Sequence, residues 1–569
     1  MRRPPAGRLI ALLVAMVVAL GGIVVRLGIL QLRESGTYQA LGIEQRLRTE
    51  DLPATRAKIL DRNGSPLAVT LEARDVYANP TLVTDPVGEA VQLSTVLGVR
   101  SKDVAQGLAT PDRTFVYVQR GVDMDVAARV SDLHLAGIGL LPSEKRYYPS
   151  GSIAAQVVGV VDPDGVGITG LERQYDTSLT GTPGHRIVEL SAMGQEIAGG
   201  VMVDHEPQPG ADLELTIDRQ IQFQAQQYLH QAVVANHAKG GTVIVMDPLT
   251  FEILAMANDP SFNPNNFGGV DPSDLVNRAV TDTWEPGSVN KTITAAAALQ
   301  SGVVTPAERF RVGATRTIEG YTIHDAEPHA TEQMTLGDII AHSSNVGISE
   351  VADRVGNERL QQAFASFGYG APTGVGFPGE AAGIMPPDSN WSDITRATVS
   401  FGAGVAVSPL QMAAVYATIA NGGTYMQPRL VRATVSNGVA APIGPSVARR
   451  VLSQDTSRTL TEMLAYAVAD GTGYNAQIAG YQVAGKTGTA KKVDAAGKYT
   501  DKYVASFIGF LPASQPRIVV AAIINEPDTV YGGVAAAPLF QHIARYAIQR
   551  LGIEPGAPVP LPPHALAAP

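Results

Sequence analysis

Trp284-Glu285-Pro286-Gly287-Ser288-Val289-Asn290-Lys291 runs directly into an alanine-rich stretch, residues 292–300. Pro-Gly closes a loop and the run after it has helix-forming composition, so Ser288 is expected in the first helical turn. Ser288 and Lys291 are three residues apart and share one face of that turn. A serine hydroxyl is a weak nucleophile until a neighbouring base takes its proton. Lysine can be that base only if it is neutral part of the time, which burial and a second nearby cation both favour. The helix N-terminus also aims backbone N–H groups at an anion forming beside Ser288. The spacing is common on surface helices, and alone it carries little.

Two further segments complete a constellation. Ser343-Ser344-Asn345 follows a helical stretch, residues 336–341, and supplies a hydroxyl and an amide. The hydroxyl can relay a proton between Lys291 and a leaving amine, and Asn345 can bind a substrate backbone group. Lys486-Thr487-Gly488-Thr489 follows apolar residues 481–484 on what reads as a strand. Lys486 offers charge to a substrate carboxylate, Gly488 allows close approach of a ligand, and the next N–H can complete an oxyanion hole. Taken singly, Ser343 or Ser344 also fits a plain helix cap, and Lys-Thr-Gly a plain turn. His324, Asp325 and His329 lack metal-ligand spacing and read as a solvated loop. Asp61-Arg62-Asn63-Gly64 reads as a structural turn.

Outward from these motifs, 569 residues predict two or three domains. Hydrophobic content of 45% and charged content of 17% suit folded cores. The 53 Asp and Glu against 43 Lys and Arg leave no electrostatic case for nucleic acid as a partner. With no cysteine there is no disulfide, thiolate metal site or thiol nucleophile. Arg2, Arg3 and Arg8 precede an apolar run, residues 9–25, that Arg26 closes and residues 27–32 extend. That length reaches the lower end of a membrane span, and the arginine excess places the N-terminus in the cytoplasm. A cleaved signal peptide shares this pattern, but no A-x-A site follows Val25, so the reading is an uncleaved anchor.

Residues 33 to about 50 read as a polar helical stalk, and 45–225 as an extended module of short strands with helical patches such as 126–133. Asp218 caps a helix running to about 238. Apolar runs 241–246 and 252–257 form a hairpin through Asp247-Pro248-Leu249-Thr250. A helix-rich middle spans 288–470, strand runs follow at 505–510 and 518–524, and a helix at 538–551. The fold class is therefore α+β, an antiparallel sheet closed by both ends of one domain and flanked by helices. The expected organisation is a tail 1–8, a transmembrane anchor 9–32, an N-terminal module 33–225, a catalytic domain 226–552 and a disordered Pro/Ala-rich tail 553–569.

The ordered triple Ser288-x-x-Lys291, Ser343-x-Asn345, Lys486-Thr487-Gly488 resembles the signature of β-lactamases and penicillin-binding proteins. Over nearly its whole length the chain is similar to class B penicillin-binding proteins. The likeness is carried by Asp61-Arg62-Asn63-Gly64 before Pro66-Leu67-Ala68, Arg146-Tyr147-Tyr148-Pro149, Gly170-Leu171-Glu172, Ser408-Pro409-Leu410-Gln411 and Gly471-Thr472-Gly473. Phe377-Pro378-Gly379-Glu380 and Trp391-Ser392-Asp393 look more like the division-specific type than the elongation type. Ala57 stands where the family usually has glycine.

The resemblance implies a penicillin-binding transpeptidase fold on a pedestal or dimerisation-like module, and a D,D-transpeptidase that cross-links peptidoglycan stem peptides. Ser288 would attack the penultimate D-Ala carbonyl, with Lys291 as base, Ser343 as proton shuttle and Asn345 on the substrate amide. Lys486 and Thr487 would hold the carboxylate beside Gly488, and the N–H groups of Ser288 and Thr489 would form the oxyanion hole. β-Lactams would acylate Ser288. It implies no metal or cofactor, but a partner glycosyltransferase and other division proteins, on the outer side of the inner or plasma membrane at the septum. An elongation role and a mainly scaffolding role are the alternatives. A β-lactamase would need a carboxylate for deacylation, and Glu380 sits in a turn.

Overall fold

A computed structural model describes residues 6–33, 36, 46–110, 112–191, 196–387, 389, 391–444, 448–494 and 497–562. The chain divides into two compact units, residues 1–55 with 181–210, and residues 56–180 with 211–569. In the first, the apolar run forms helix α1, Ala6–Leu32, with none of its side chains buried by protein. The same unit holds a three-stranded antiparallel sheet in the order Leu47–Leu52, Gly184–Leu190, Glu196–His205. The expected helical stalk is corrected here. Its end is a strand, while 34–35 and 37–45 lie outside the described residues, as do 1–5 of the expected tail. Pairing with residues 184–190 and the Arg186–Glu50 bridge at 2.7 Å override local helix preference.

In the second unit, a five-stranded antiparallel sheet is built from β1 (Gly240–Met246), β2 (Ile253–Asp259), β3 (Ala484–Val493), β4 (Tyr499–Leu511) and β5 (Ile518–Asn525). Its order is β2-β1-β5-β4-β3, so strands from both ends of the domain meet at β1 and β5, and β3 is an edge. β1, β2 and β5 are almost continuously apolar because both faces are covered, whereas β3 and the start of β4 are polar. Val243, Val245 and Val520 pack with α2 (Arg219–Ala235) and α8 (Gly532–Leu551). Ile244, Met246 and Val519 face the larger core. There they meet α3 (Lys291–Gln300), α4 (Leu336–Ala341), α5 (Asn345–Val355), α6 (Pro409–Ala420) and α7 (Gln454–Ala469). Asp218 caps α2 as expected, accepting the N–H of Gln220 at 2.9 Å.

Three expectations are corrected. Helix α8 starts at Gly532, not at Pro538, which lies inside it. A proline there forfeits one helical hydrogen bond, but the small residues before it let the helix press onto the sheet. A Cβ on Gly532 would lie 2.3 Å from the Gly488 carbonyl. The helix-rich middle also contains antiparallel ladders among its described residues, including Arg309–Val312 with Glu332–Thr335 and Thr315–Ile318 with Tyr321–His324. Residues 555–562 of the tail are not free: Val559 exchanges hydrogen bonds with Gln482 at 2.6 and 3.1 Å and packs on the core. Residues 563–569 lie outside the described residues.

Within the larger unit, strands from residues 59–147 and 212–215 share a seven-stranded sheet with residues 431–442. Val431–Ser436 pairs with Asp212–Leu215, which runs parallel to Ile59–Leu60, and the sheet continues into Pro66–Ala78. Asp61-Arg62-Asn63-Gly64 is the expected turn. Asp61 accepts the N–H groups of Asn63 and Ser65 at 2.9 and 2.7 Å, and Gly64 has φ +79.

Candidate active site

Ser288 lies in a 3-10 turn, Gly287–Asn290, that leads into α3. Gly287 makes the turn possible, with φ +57 and its missing Cβ only 2.7 Å from the Thr489 carbonyl oxygen. The turn carrying Ser288 is thereby pressed against the edge strand β3. Behind it, Tyr416 donates to the Val289 carbonyl at 3.1 Å and Tyr369 to Asn290 at 2.6 Å, locking the turn from the core. In front, Glu285 accepts the Gly404 N–H at 2.8 Å and the Tyr499 hydroxyl at 3.0 Å.

Lys291 is completely buried. Its Nζ donates to the Ser343 hydroxyl at 3.1 Å and to the Ser343 carbonyl. Burial first, then the neighbouring Lys486 cation, push the Lys291 ammonium well below the ordinary lysine range, against the pull of Asp325. Ser343 holds φ +63, a left-handed conformation costly for a non-glycine residue and one that turns the chain between α4 and α5. Ser344, not Ser343, is the helix cap: it accepts the Gly347 N–H at 2.8 Å. Asn345 begins α5 and donates to the His324 carbonyl at 2.9 Å.

Lys486 is also completely buried, and burial lowers it to about 7. Its Nζ donates to Thr472 and Thr487 hydroxyls, each at 3.2 Å, and those two hydroxyls are 2.7 Å apart. Thr489 accepts the Gly532 N–H at 3.2 Å. At Gly488 a Cβ would lie 2.3 Å from the Ser506 hydroxyl and 3.0 Å from the Pro286 carbonyl. The space this glycine leaves is filled by protein, so strand packing also demands it.

All eight predicted residues therefore converge. Ser288, Ser343, Asn345, Thr487 and Thr489 line a groove of about 1070 Å³, with Lys291 and Lys486 beneath its floor. A second cavity, about 500 Å³, shares Glu285, Ala490 and Lys491 with the groove but holds none of the eight. Thr472, Glu285, Tyr499 and Asp325 were not assigned from sequence. Thr472 was visible only as part of a Gly-Thr-Gly match. The expected solvated loop is corrected at Asp325, which is buried and accepts from Ser344 at 2.6 Å, from the Asn345 N–H, and from Val346 at 3.0 Å. A carboxylate that satisfies a helix N-terminus gains hydrogen bonds it cannot show in sequence.

With the geometry in place, the comparisons agree on one family. The penicillin binding protein transpeptidase domain matches residues 241–545, and the penicillin-binding protein dimerisation domain matches 51–215. The chain belongs to the penicillin-binding protein transpeptidase family. It is similar to the peptidoglycan D,D-transpeptidase FtsI of Escherichia coli K12, 37% identical over 90% of this chain and 86% of that one. It is similar also to penicillin-binding protein PbpB of Mycolicibacterium smegmatis, 36% identical over 98% and 92%. The crystal structure of penicillin binding protein 3 from Mycobacterium tuberculosis complexed with aztreonam superposes with a TM-score of 0.72 at 34% identity. It covers 90% of this chain and all of that one.

Proposed function

We propose that this chain is a division-specific peptidoglycan D,D-transpeptidase in which Ser288 is the acylated nucleophile and Lys291 its base. The observation that carries the reading is Lys291, buried, bonded to Ser343, driven towards its neutral form and three residues from Ser288. Neutral Lys291 takes the Ser288 proton as Oγ forms a bond to the penultimate D-Ala carbonyl carbon. The N–H groups of Ser288 and Thr489 hold the oxyanion. The C–N bond then breaks, and Ser343 passes the proton from Lys291 to the amine of the departing D-Ala. An acceptor amine from a neighbouring stem peptide attacks the ester, its proton returns through Ser343 and Lys291, and Ser288 regains its hydrogen.

Asn345 and the open edge of β3 bind the extended donor peptide, while Lys486, Thr487 and Thr472 hold its carboxylate. A β-lactam enters the same path through its strained amide. The pedestal is residues 33–225 and the catalytic domain 226–552. Helix α1 anchors the chain in a single pass, N-terminus in the cytoplasm, with the catalytic domain outside at the septum beside a partner glycosyltransferase. The division role is supported by the name FtsI among its relatives. Intact mass after penicillin treatment, with the adduct mapped, tests the reading. A stable adduct on Ser288 is expected; no adduct, or one elsewhere, overturns it, and rapid hydrolysis of the adduct marks a β-lactamase instead.

A further inference from the structure

The groove wall nearest Ser343 and Asn345 carries an ion pair that the three motifs do not include. Asp325, with a side chain 6% exposed, collects the Ser344 hydroxyl, the backbone N–H groups of Asn345 and Val346, and His329 Nε2 at 3.0 Å. His329 Nδ1 lies 2.6 Å from the Ala330 carbonyl oxygen. A carboxylate and a carbonyl can only accept, so both ring nitrogens must donate, and only the imidazolium does that. Burial works against this charge. The bond to Asp325, the Ala330 carbonyl and the nearby Glu332 outweigh it, and His329 is raised above its ordinary 6.5.

The pair bears on the base. Three influences act on Lys291: burial and Lys486 drive its proton off, and the Asp325 carboxylate holds it on. A cation bonded to Asp325 weakens that last influence. Among the described residues, Glu332 faces His329 from the adjoining strand, Glu350 on α5 feels Asp325, and His342 and Asp470 line the same groove. Glu327 lines the same loop. We propose that His329 is a positioning residue. As imidazolium it clamps Asp325 onto the start of α5, which sets Ser343 and Asn345, and it offsets the Asp325 anion so that Lys291 is free to lose its proton at lower pH. The proposal rests on the reading of Ser288 and Lys291 as nucleophile and base.

The test is the pH dependence of acylation by a fluorescent penicillin, on the full-length chain in detergent, for wild type, His329→Gln and His329→Lys. His329→Gln keeps a donor but no charge, and should move the acid limb up by about half a pH unit or more. His329→Lys keeps a cation and should leave the limb at its wild-type position. Both limbs unmoved, or both moved alike, overturns the proposal, because packing alone would treat the two variants the same. Histidine NMR of the wild type gives a check free of any variant. His329 should titrate above 6.5, and a value at or below it overturns the charged pair. The two readings fail separately: no wild-type adduct on Ser288 sinks the nucleophile and this inference with it, while an adduct with an unmoved limb sinks the inference only.

Discussion

Lys291 and Lys486 are two fully buried lysines close enough to feel each other's charge, and among the described residues neither is hydrogen-bonded to a carboxylate. The arrangement is electrostatically costly, and that cost, burial first, drives Lys291 towards the neutral form that its proposed role as base needs. Lys291→Ala should slow acylation by fluorescent penicillin at least about 100-fold, with an unfolding midpoint no lower than wild type. Retained labelling would remove Lys291 from the role. Lys486, at about 7 in the folded chain against 10.5 ordinarily, binds fewer protons folded than unfolded between those values. Stability therefore rises with pH across that window and is lowest below it. Lys486→Met should accordingly be more stable than wild type at neutral and acid pH, by on the order of a few kcal/mol. The gain should shrink as pH climbs towards 10.5, and a pH-independent difference would refute the buried cost.

At the scale of elements, the site depends on how a turn, a helix start and an edge strand are pressed together. Gly287 is the contact point between the Ser288 turn and β3. Gly287→Ala puts a Cβ into both a left-handed conformation and the Thr489 carbonyl. It should cost ~1–3 kcal/mol in thermal unfolding and slow acylation at least about tenfold by displacing Ser288. A variant with wild-type acylation would mean that the turn has room the geometry denies. Elements with local signals were legible in the sequence. Helix α4 opens on the Thr335–Asp338 capping box, and its ends are legible in the sequence. The start of α8 and the strand Leu47–Leu52 were not legible, because packing against the sheet and pairing with a distant strand outvote local propensity there.

On the scale of the whole molecule, the larger unit is tied together by buried charges from distant parts of the chain. Glu172, fully buried, accepts from Arg56 Nε at 2.8 Å and from Arg146 Nε at 2.7 Å. Arg56 also reaches Asp176 at 2.7 Å. Glu172→Gln leaves the buried Arg146 without its carboxylate and should destabilise by ~3–5 kcal/mol in urea unfolding of the full chain, whereas Arg146→Ala, which leaves Glu172 paired with Arg56, should cost less. A loss below about 1 kcal/mol would show the network to be dispensable. These residues sit in motifs quoted from the sequence, Arg146-Tyr147-Tyr148-Pro149 and Gly170-Leu171-Glu172, but nothing in those strings says that they meet.

Ser288, Lys291, Ser343, Asn345 and the 486–489 segment could be named from sequence because each motif is short. Its chemistry is set by residue type at fixed spacing, and the order of the three is rarely met by chance. The apolar run of α1 and the apolar strands β1, β2 and β5 are equally plain, since a span-length hydrophobic helix and a strand covered on both faces each write an unbroken apolar run. What tertiary structure alone decided are the long-range pairings. Lys291 bonds to Ser343 across 52 residues, Thr472 meets Lys486, and residues 431–436 complete a sheet begun at residue 59. Asp325 became a buried acceptor for a helix N-terminus instead of a solvated loop residue. Burial and hydrogen-bond partners are properties of neighbours in space, and a carboxylate looks the same in the chain whether water or a helix start satisfies it.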